Sequence, residues 1–421
     1  MAILIKNVLL PEQGKVNILI VDQHIVAIDN TILNLPEESK QIDASGLIAL
    51  PGLVNGHTHA AMTLFRGFGD DMPLMTWLST RIWPAEAKLT DEDVYWGTRL
   101  ACLEMIRSGT IFFQDMYWRF NAMARAVQDA GLRAGVGAVM IDVAGEAQAQ
   151  ECRRLAEQTF EQSRDYSARI QYVLTPHAIY TVSEASLRWV ADFSEKHQLP
   201  VHIHLSETHT EVTECLRQHG ILPAIYLDRV GLLNSRAILA HGVYLSDPEL
   251  DLIAQRGATL VTNPVSNLKL AVGSIFPYSK ARARHIPMAL GSDGAASNNS
   301  LDLFQDLKTF ALIQKHADQD PTVLPAGDAW AIATGQKAPL FGQSGRIAVG
   351  EKADLLLISQ NLPEITPQHD LISNLVYAAT GHVVDTVIVE GRILMQGRHI
   401  EGEKEIQQEA IARARSLCKT S

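Results

Sequence analysis

The sequence predicts an α/β protein made of a (β/α)8 barrel of the TIM type and a small composite β-sandwich domain built from both termini. Between residues 51 and 344, apolar segments typical of strands alternate with amphipathic segments typical of helices. Before and after that region the pattern changes to short strands. We therefore expect residues 51–344 to form the barrel, and residues 1–50 and 345–421 to form the β domain.

The N-terminal region contains short apolar segments bounded by turn residues such as Pro11, Gly14 and Asp29. These segments predict strands at residues 3–9, 16–21, 24–28 and 46–50. So few strands offer too little core to be stable alone. We therefore expect them to pair with strands from the other end of the chain.

Eight apolar segments follow, and their near-continuous hydrophobicity is typical of parallel strands covered by helices. The first leads into His57 and His59, and the others span residues 110–116, 133–141, 169–174, 200–205, 237–245, 258–263 and 286–291. Predicted helices between them include residues 91–108, 122–130, 184–197, 248–255 and 301–315. A doubly wound open sheet is the alternative, but Gly52 and Gly56 do not form its G-x-G-x-x-G phosphate-binding pattern.

The C-terminal region returns to strand patterns. Residues 350–358 and 384–394 are rich in β-branched side chains, with turns at Gly391 and Gly397. Residues 403–419 have the pattern of an amphipathic helix. These strands complete the predicted composite domain.

Composition and charge exclude several classes of protein. The chain is 47% hydrophobic and 20% charged, which is typical of globular proteins. Its net charge of -11, without a cluster of Lys and Arg, argues against a nucleic-acid partner. Four widely spaced cysteines indicate reduced thiols. Because no apolar run approaches the roughly 18 residues of a membrane span and the N-terminus lacks a signal-peptide pattern, we expect a cytoplasmic protein with no membrane partner.

Polar residues suited to metal binding and proton transfer end the predicted barrel strands. In a TIM barrel the catalytic groups stand at the carboxyl ends of the strands. Five strand ends carry His or Asp, which favours one shared site over separate core histidines. The polar residues at strand ends are His57, His59, His177, His202, His204, Glu207, His241, Asn263, Asn267 and Asp293.

The spacing of these residues predicts a metal site. His57 and His59 are two residues apart, so in a strand both rings point to one face and can reach one ion. Three imidazoles and one carboxylate would leave a position for water, as in catalytic zinc sites. We predict one divalent metal, zinc, held by His57, His59, His204 and Asp293. His202 shares a strand face with His204, and spacing alone does not decide between them.

Glu207 is the predicted proton donor. It follows His204 by three residues, close enough to share the pocket without binding the ion. A metal lowers the pKa of its bound water from 15.7 to about 7, and a nearby carboxylic acid can protonate a ring nitrogen beside the attacked carbon. The simpler alternative is that Glu207 only stabilises the start of the following helix.

A further indication comes from six segments of the chain, PGLVNGHTHAAMTLFRGFGDDMPLMTWL, TPHAIYTVS, HLSET, LAHGVYL, NPVSNLKLAVG and GSDGAASNNSLDLF. As a set they resemble the metal-dependent amidohydrolase superfamily, in its branch of chlorohydrolases and aminohydrolases, and most closely 5-methylthioadenosine/S-adenosylhomocysteine deaminases. The resemblance covers essentially the whole chain. It implies that His204, and not His202, is the third imidazole ligand. It also implies a single metal, because no lysine ends the strand at residues 169–174.

The resemblance implies a reaction as well. Hydroxide would attack C6 of an adenine ring, Glu207 would protonate N1, and Asp293 would pass the proton of the water to the departing ammonia. His241 would polarise the attacking water or stabilise the tetrahedral intermediate. Glu86 matches a ribose-binding glutamate of the family, and His177 matches a substrate-contacting histidine.

The segment MPLMTWL is expected to close over the 5′ substituent of the nucleoside through Met75 and Trp77. The alternative is that this segment is an ordinary amphipathic helix. Family members that act on S-adenosylhomocysteine can use arginines near the third strand to hold its carboxylate. Residues 134–152 contain no arginine. Because a buried carboxylate without a cationic partner is costly, we expect 5′-methylthioadenosine or adenosine as the substrate rather than S-adenosylhomocysteine.

Two alternatives to this function stay open. A guanine, pterin or triazine aminohydrolase or chlorohydrolase would keep the metal, but a free base or a triazine has no ribose for Glu86 to bind. A non-catalytic zinc-binding barrel would make Glu207 dispensable. The resemblance further implies a homodimer or higher homo-oligomer, and it leaves iron and manganese open as the metal.

Overall fold

A computed structural model describes residues 2–32, 35 and 38–418. In this part of the chain the strands are β1 (Ala2–Leu10), β2 (Gly14–Val21), β3 (His24–Asp29), β4 (Ser39–Asp43), β5 (Leu47–Pro51), β6 (Leu53–Thr58), β7 (Thr110–Tyr117), β8 (Arg133–Met140), β9 (Ile170–Tyr172), β10 (Thr175–Pro176), β11 (Val201–Leu205), β12 (Ala237–His241), β13 (Thr259–Thr262), β14 (Met288–Leu290), β15 (Leu355–Ser359), β16 (Val384–Val389) and β17 (Arg392–Met395).

The α-helices of the same residues are α1 (Leu74–Trp77), α2 (Trp83–Glu86), α3 (Asp91–Arg107), α4 (Phe120–Ala130), α5 (Glu146–Gln162), α6 (Glu184–His197), α7 (His209–His219), α8 (Pro223–Arg229), α9 (Asp247–Arg256), α10 (Pro264–Lys269), α11 (Tyr278–Ala283), α12 (Leu303–Asp318), α13 (Ala326–Ala333), α14 (Leu371–Tyr377) and α15 (Glu403–Leu417). Lys419, the last residue of the predicted C-terminal helix, lies outside the described residues. Every described helix is too short or too polar to cross a bilayer.

The strands of the middle region form two parallel sheets, which confirms the predicted α/β class. Strands β6 to β10 belong to one sheet and β11 to β14 to the other. Every residue of β6 and β7 is buried, as expected for strands covered on both faces. Glycine is required within β8, because a Cβ at Gly137 would lie 2.1 Å from the carbonyl oxygen of Val173 on the neighbouring segment.

The two parallel sheets are hydrogen-bonded to each other at both edges. At one edge, Leu174 donates its N–H to the Pro200 carbonyl at 3.0 Å, and His202 donates to the Leu174 carbonyl at 2.8 Å. At the other edge, Asp293 donates its N–H to the His57 carbonyl at 3.0 Å. The carboxyl ends of the strands therefore meet at one end of the molecule.

The observed strands of this region lie within or next to the predicted segments, and their bounds differ most at two places. The segment predicted at residues 169–174 contains β9, and the additional short strand β10 lies just beyond it; both strands pair with β8. Strand β12 ends at His241, four residues earlier than predicted, because His241 has a left-handed φ of 75° that turns the chain out of the sheet.

An eight-stranded sheet combines strands from both ends of the chain. Its order is β17-β16-β15-β5-β1-β2-β3, and β4 pairs with β1. Strand β15 runs antiparallel to β5, so Leu355 pairs with Pro51. Buried residues of both ends, among them Ile5, Ile18 and Ile388, share one hydrophobic cluster. Strand β4 was not predicted, because four of its five residues are polar. The sandwich form of this domain stays a prediction.

Candidate active site

Residues at the carboxyl ends of the parallel strands converge on one buried cluster. His57 ends β6 with His59 just beyond it, His204 lies in β11, His241 ends β12, and Asp293 follows β14. His57 and His241 are at most 1% exposed, and His204 and Asp293 are each 5% exposed. The predicted metal ligands therefore come together at one site.

The direction of the imidazole rings is set by hydrogen bonds. The Nδ1 atom of His59 is 2.6 Å from the carbonyl oxygen of Met116, and that of His204 is 2.7 Å from the carbonyl oxygen of His177. A carbonyl only accepts, so each ring carries its proton on Nδ1. The Nε2 atoms of His59 and His204 then have no proton, although they are only 3.3 Å apart.

This geometry fits a metal ion. Two unprotonated nitrogens at that distance present lone pairs to each other, which is unfavourable unless a cation lies between them. The Nε2 atom of His57 is buried without a hydrogen-bond partner among the described residues. It lies 3.4 Å from Oδ1 of Asp293, and Nε2 of His59 lies 3.3 Å from the same oxygen. Nitrogen and carboxylate donors of this kind suit zinc and related divalent metals.

The same atoms define two overlapping groups of possible ligands. One comprises His57, His59 and Asp293, and the other comprises His57, His204 and His241, with the ligand atoms of each group within 4.8 Å of one another. His241 is thus a possible ligand as well as the predicted polarising group. His202 lies behind the cluster, where its Nε2 is 2.8 Å from Nδ1 of His57.

Burial favours the neutral form of four histidines at the cluster, and binding a metal through a ring nitrogen requires that form. Burial lowers the pKa of His57 and of His177 to about 3, and it holds the pKa of His204 and of His202 well below the usual value. Burial opposes ionisation of Asp293 too, but the close contact with His57 and the neighbouring imidazoles of His59 and His241 outweigh it and hold the pKa of Asp293 well below its usual range.

The Asp293 carboxylate is held by donors on both oxygens. Its Oδ2 accepts hydrogen bonds from the hydroxyls of Ser266 at 2.6 Å and Ser297 at 2.9 Å. Its Oδ1 accepts from the N–H of Gly294 at 2.8 Å and faces the histidines. Asp293 itself has a left-handed φ of 60°, so the turn after β14 aims the side chain into the cluster.

Glu207 lies beside His241 at the edge of the cluster. Its Oε2 is 4.0 Å from Nε2 of His241. Burial raises the pKa of Glu207, which favours the protonated carboxyl group that a proton donor needs. Burial alone would lower the pKa of His241. The nearby carboxyl groups of Glu207 and Asp293 outweigh burial, so the pKa of His241 is raised. Nδ1 of His241 is 2.9 Å from Oδ1 of Asn267.

Glu86 and His177 lie on the side of the cluster near His59 and His204. Oε1 of Glu86 accepts a hydrogen bond from the Tyr117 hydroxyl at 2.7 Å. Burial raises the pKa of Glu86, partly offset by Tyr117 and His59. The rings of His177 and His204 are 4.7 Å apart between centroids, and Nδ1 of His177 is 2.8 Å from the Thr181 hydroxyl.

The structure does not bring Met75 and Trp77 into the cluster. Trp77 is buried, and its indole N–H donates to the carbonyl of Phe68 at 3.2 Å. Met75 is 59% exposed. The segment forms a short helical stretch, with α1 followed by a π-helical turn at Leu78–Ile82 and then α2.

Several residues of the site were not predicted. Tyr117, Ser266 and Ser297 contact Glu86 or Asp293 but carry no sequence signal beyond their position near a strand end. Asn267 was recognised at a strand end, but its contact with His241 was not expected. Such partners depend on which side chains meet across strands.

Comparisons with known proteins agree with this geometry. The model of the Amidohydrolase family matches residues 48–394. A 5′-deoxyadenosine deaminase of Methanoregula boonei is 48% identical over 379 residues, covering 89% of this chain and 86% of the relative. A 5-methylthioadenosine/S-adenosylhomocysteine deaminase of Dictyoglomus turgidum is 41% identical over 432 residues, covering 100% of both chains.

A solved structure extends the match to the fold. The crystal structure of an adenosine deaminase from Xanthomonas campestris with bound zinc has a TM-score of 0.92 and 34% sequence identity, covering 99% of this chain and 98% of that chain. The fold is accordingly of the TIM-barrel type, and the donor set described above, together with these relatives, supports a divalent metal at the histidine cluster. On both sequence and structure, the chain belongs to the amidohydrolase family.

Proposed function

We propose that this chain catalyses the hydrolytic deamination of an adenine nucleoside. Water replaces the 6-amino group, so that the products are an inosine-type nucleoside and ammonia. We propose 5′-methylthioadenosine as the preferred substrate, with 5′-deoxyadenosine and adenosine as related candidates. The names of the relatives support the adenine nucleoside, since they are called 5′-deoxyadenosine deaminase or 5-methylthioadenosine/S-adenosylhomocysteine deaminase.

The observation that carries the proposal is a pair of partly buried carboxyl groups at the histidine cluster. Glu207 lies beside His241, and its raised pKa suits a group that gives a proton to a ring nitrogen. Glu86 lies beside Tyr117 and His59, where a carboxylate can accept hydrogen bonds from a ribose diol. A proton donor for the base and an acceptor for the sugar are the two groups that a nucleoside requires.

We propose zinc as the metal and His57, His59, His204 and Asp293 as the residues that hold it. When bound, a divalent metal supplies Lewis acidity that makes water a nucleophile at neutral pH. His57, His59 and His204 would bind through their Nε2 atoms, because two of the three Nδ1 atoms are bonded to main-chain carbonyls and the third to His202.

The remaining groups move or hold protons. Glu207 donates a proton to N1 of the adenine ring, which makes C6 more electrophilic. Asp293 accepts one proton from the attacking water and delivers it to the leaving 6-amino group, which departs as ammonia. The remaining hydroxyl proton leaves as the C6 carbonyl forms, and it restores the proton that Glu207 gave to N1. His241 is held through Nδ1 by Asn267, so its Nε2 is directed at the reacting centre, where it stabilises developing negative charge.

The arginines near the third strand support a substrate without a carboxylate. Arg133 stands at the start of β8, away from the carboxyl ends, and pairs with Asp354 at 2.6 Å. Arg153 pairs with Glu146 at 2.6 Å. Arg154 pairs with Glu151 on the exposed face of α5. Each of these three arginines already pairs with a carboxylate of this chain, which favours the smaller 5′ substituents.

No specific observation favours the alternatives. A guanine, pterin or triazine has no diol to occupy Glu86, which would then be a partly buried carboxyl group without a substrate partner. Membership of the amidohydrolase family identifies the chain as an enzyme and excludes the non-catalytic zinc-binding barrel.

The test is ammonia release by the zinc-loaded protein from 5′-methylthioadenosine, 5′-deoxyadenosine, adenosine, S-adenosylhomocysteine, guanine and a triazine. We expect the highest kcat/KM with 5′-methylthioadenosine and the lowest, among the nucleosides, with S-adenosylhomocysteine. Glu207→Gln should lower kcat about 10²–10⁴-fold with unchanged zinc content. Glu214→Gln, on the exposed part of α7, is the control. Full activity of Glu207→Gln would refute the proton-donor role.

We also propose that the strands of residues 51–344 close into an eight-stranded barrel, with β9 and β10 acting as one strand. The hydrogen bonds at both edges of the two parallel sheets support closure. Residues 1–50 and 345–421 form the composite β domain in this proposal, supported by their shared sheet and hydrophobic cluster. A homodimer or higher homo-oligomer and a cytoplasmic location stay predictions.

A further inference from the structure

The turn that carries Glu207 is held by hydrogen bonds to both its carbonyl and its N–H groups. Ser206 follows β11 with a left-handed φ of 49°. Its carbonyl oxygen accepts hydrogen bonds from the N–H groups of Val243 at 3.1 Å and Tyr244 at 2.9 Å, in the loop after β12. A non-glycine residue in this conformation is held there by its surroundings.

The N–H groups of the same turn are bound by a carboxylate. Oε1 of Glu211 accepts from the N–H of Ser206 at 2.8 Å, and Oε2 accepts from the N–H of Glu207 at 2.9 Å. Glu211 is 4% exposed, so these bonds lie in a low-dielectric interior, where hydrogen bonds are strong. Both oxygens are therefore used to hold two successive main-chain amides.

Helix capping does not explain this contact. In a capping box, the acidic residue at the third helical position returns to the N–H of the N-cap residue. Helices α3 and α9 follow this pattern, because Asp93 binds the N–H of Thr90 and Glu249 binds the N–H of Ser246. Each N-cap hydroxyl accepts from the third-position N–H in return.

Helix α7 departs from that pattern. The hydroxyl of its N-cap residue, Thr208, accepts from the N–H of Glu211 at 3.2 Å, as capping requires. The carboxylate of Glu211, however, passes Thr208 and reaches the two residues before it. The difference occurs at the helix whose N-cap residue directly follows Glu207.

We propose that Glu211 is a positioning residue that fixes the main chain of Glu207 and thereby aims the carboxyl group of Glu207 at the substrate. The proposal rests on the proposed function, in which Glu207 is the proton donor. Glu211 does not touch the reacting atoms and acts through the amides of residues 206 and 207. A displacement of a catalytic group by about 1 Å can lower a rate about 10²-fold.

Glu249 offers a matched control. It has the same position in α9 as Glu211 has in α7, it is fully buried, and its carboxylate also binds two main-chain amides, those of Ser246 and Ala224. Glu211→Gln and Glu249→Gln each replace one accepting oxygen by an NH2 group that cannot accept from an amide. They therefore disturb equivalent contacts, but only one of these contacts lies at the catalytic turn.

The experiment compares kcat, KM, zinc content and Tm of the two variants with 5′-methylthioadenosine. We expect Glu211→Gln to lower kcat about 10²-fold with KM and zinc content changed less than about twofold, whereas Glu249→Gln lowers only Tm. Amide hydrogen exchange at residues 206 and 207 should accelerate in Glu211→Gln and not in Glu249→Gln. Should Glu211→Gln not fold, Glu211→Asp, compared with Glu249→Asp, keeps the charge but is too short to reach both amides.

A double-mutant cycle separates positioning from a general structural effect. In a Glu207→Gln background, adding Glu211→Gln should lower kcat less than about twofold further, because the group that it positions is already lost. An undiminished effect in that background, or equal kcat for Glu211→Gln and Glu249→Gln, overturns the proposal while the proposed function stands. If the wild-type protein releases no ammonia from any nucleoside, the proposed function itself fails and the role of Glu211 in it fails as well.

Discussion

Asp115→Asn, a substitution in β7, is expected to remove a loss of stability that occurs as pH rises. Asp115 is fully buried, and only its Oδ1 has a hydrogen bond, from the N–H of Ala60 at 2.9 Å. Its Oδ2 is buried without a hydrogen-bond partner among the residues that the structure describes. Burial raises the pKa of Asp115 from 3.8 to about 6, although the N–H of Ala60 and the nearby His59 oppose the rise.

The raised pKa of Asp115 determines how the free energy of unfolding changes with pH. Between pH 3.8 and about 6 the folded protein keeps a proton on Asp115 that the unfolded chain has lost. The free energy of unfolding therefore decreases as pH rises through this window. A rise of about 2 units at roughly 1.4 kcal/mol each corresponds to a total loss of about 3 kcal/mol, of which about 1.4 kcal/mol falls between about pH 5 and about pH 7.5.

Urea unfolding of the wild-type protein and of Asp115→Asn at these two pH values measures the effect. Asparagine keeps the oxygen that accepts from Ala60 and does not ionise. The difference in unfolding free energy between the two proteins should move by about 1.4 kcal/mol in favour of the variant as pH rises from about 5 to about 7.5. Groups that titrate alike in both proteins cancel. A difference that does not change with pH, or that changes with the opposite sign, would refute the reasoning.

Three further predictions concern the metal, the substrate and the terminal sheet. His202→Leu removes the hydrogen-bond partner of His57 Nδ1 and should weaken zinc binding about 10–100-fold, measured by competition with a chelator. His202→Gln keeps an acceptor and should recover part of the affinity. Equal zinc affinities of the wild-type protein and both variants would contradict this role of His202. Glu86→Gln should raise KM for 5′-methylthioadenosine with its zinc content unchanged, and an unaltered KM would argue against ribose binding. Asp354→Asn leaves the buried guanidinium of Arg133 without its main charged partner. It should lower the free energy of unfolding, measured in urea, by about 3 kcal/mol and leave kcat per folded molecule unchanged. An unaltered free energy of unfolding would contradict the importance of this ion pair.

The location of the site was predictable because of a simple rule about parallel strands. Their carboxyl ends meet, so His57, His204, His241 and Asp293 had to come together once the strands were recognised from their apolar segments. The choice between His202 and His204 was not predictable from spacing alone, since both are buried on one strand. It depends on ring direction, which the carbonyl oxygen of His177 sets for His204.

Other features depend on contacts that are distant in sequence. Tyr117 in β7 donates a hydrogen bond to Glu86 in α2, and the indole N–H of Trp77 donates to the carbonyl of Phe68. Neither choice has a local pattern, because it depends on how side chains pack after the strands are assembled. Strand β4 was missed for a related reason: its polar residues pair with β1 through main-chain bonds that make no use of hydrophobic side chains.

The sheet shared by both ends of the chain has a consequence for synthesis. The antiparallel partner of β5, strand β15, leaves the ribosome only after the whole catalytic region has been made. Until then, the nascent chain presents the main-chain groups of β5 with one neighbour missing, and such open strands are prone to aggregate. Contacts so remote in sequence also form slowly. A protein released before residue 355 would therefore contain the proposed metal-binding histidines and still expose an unpaired strand that favours aggregation.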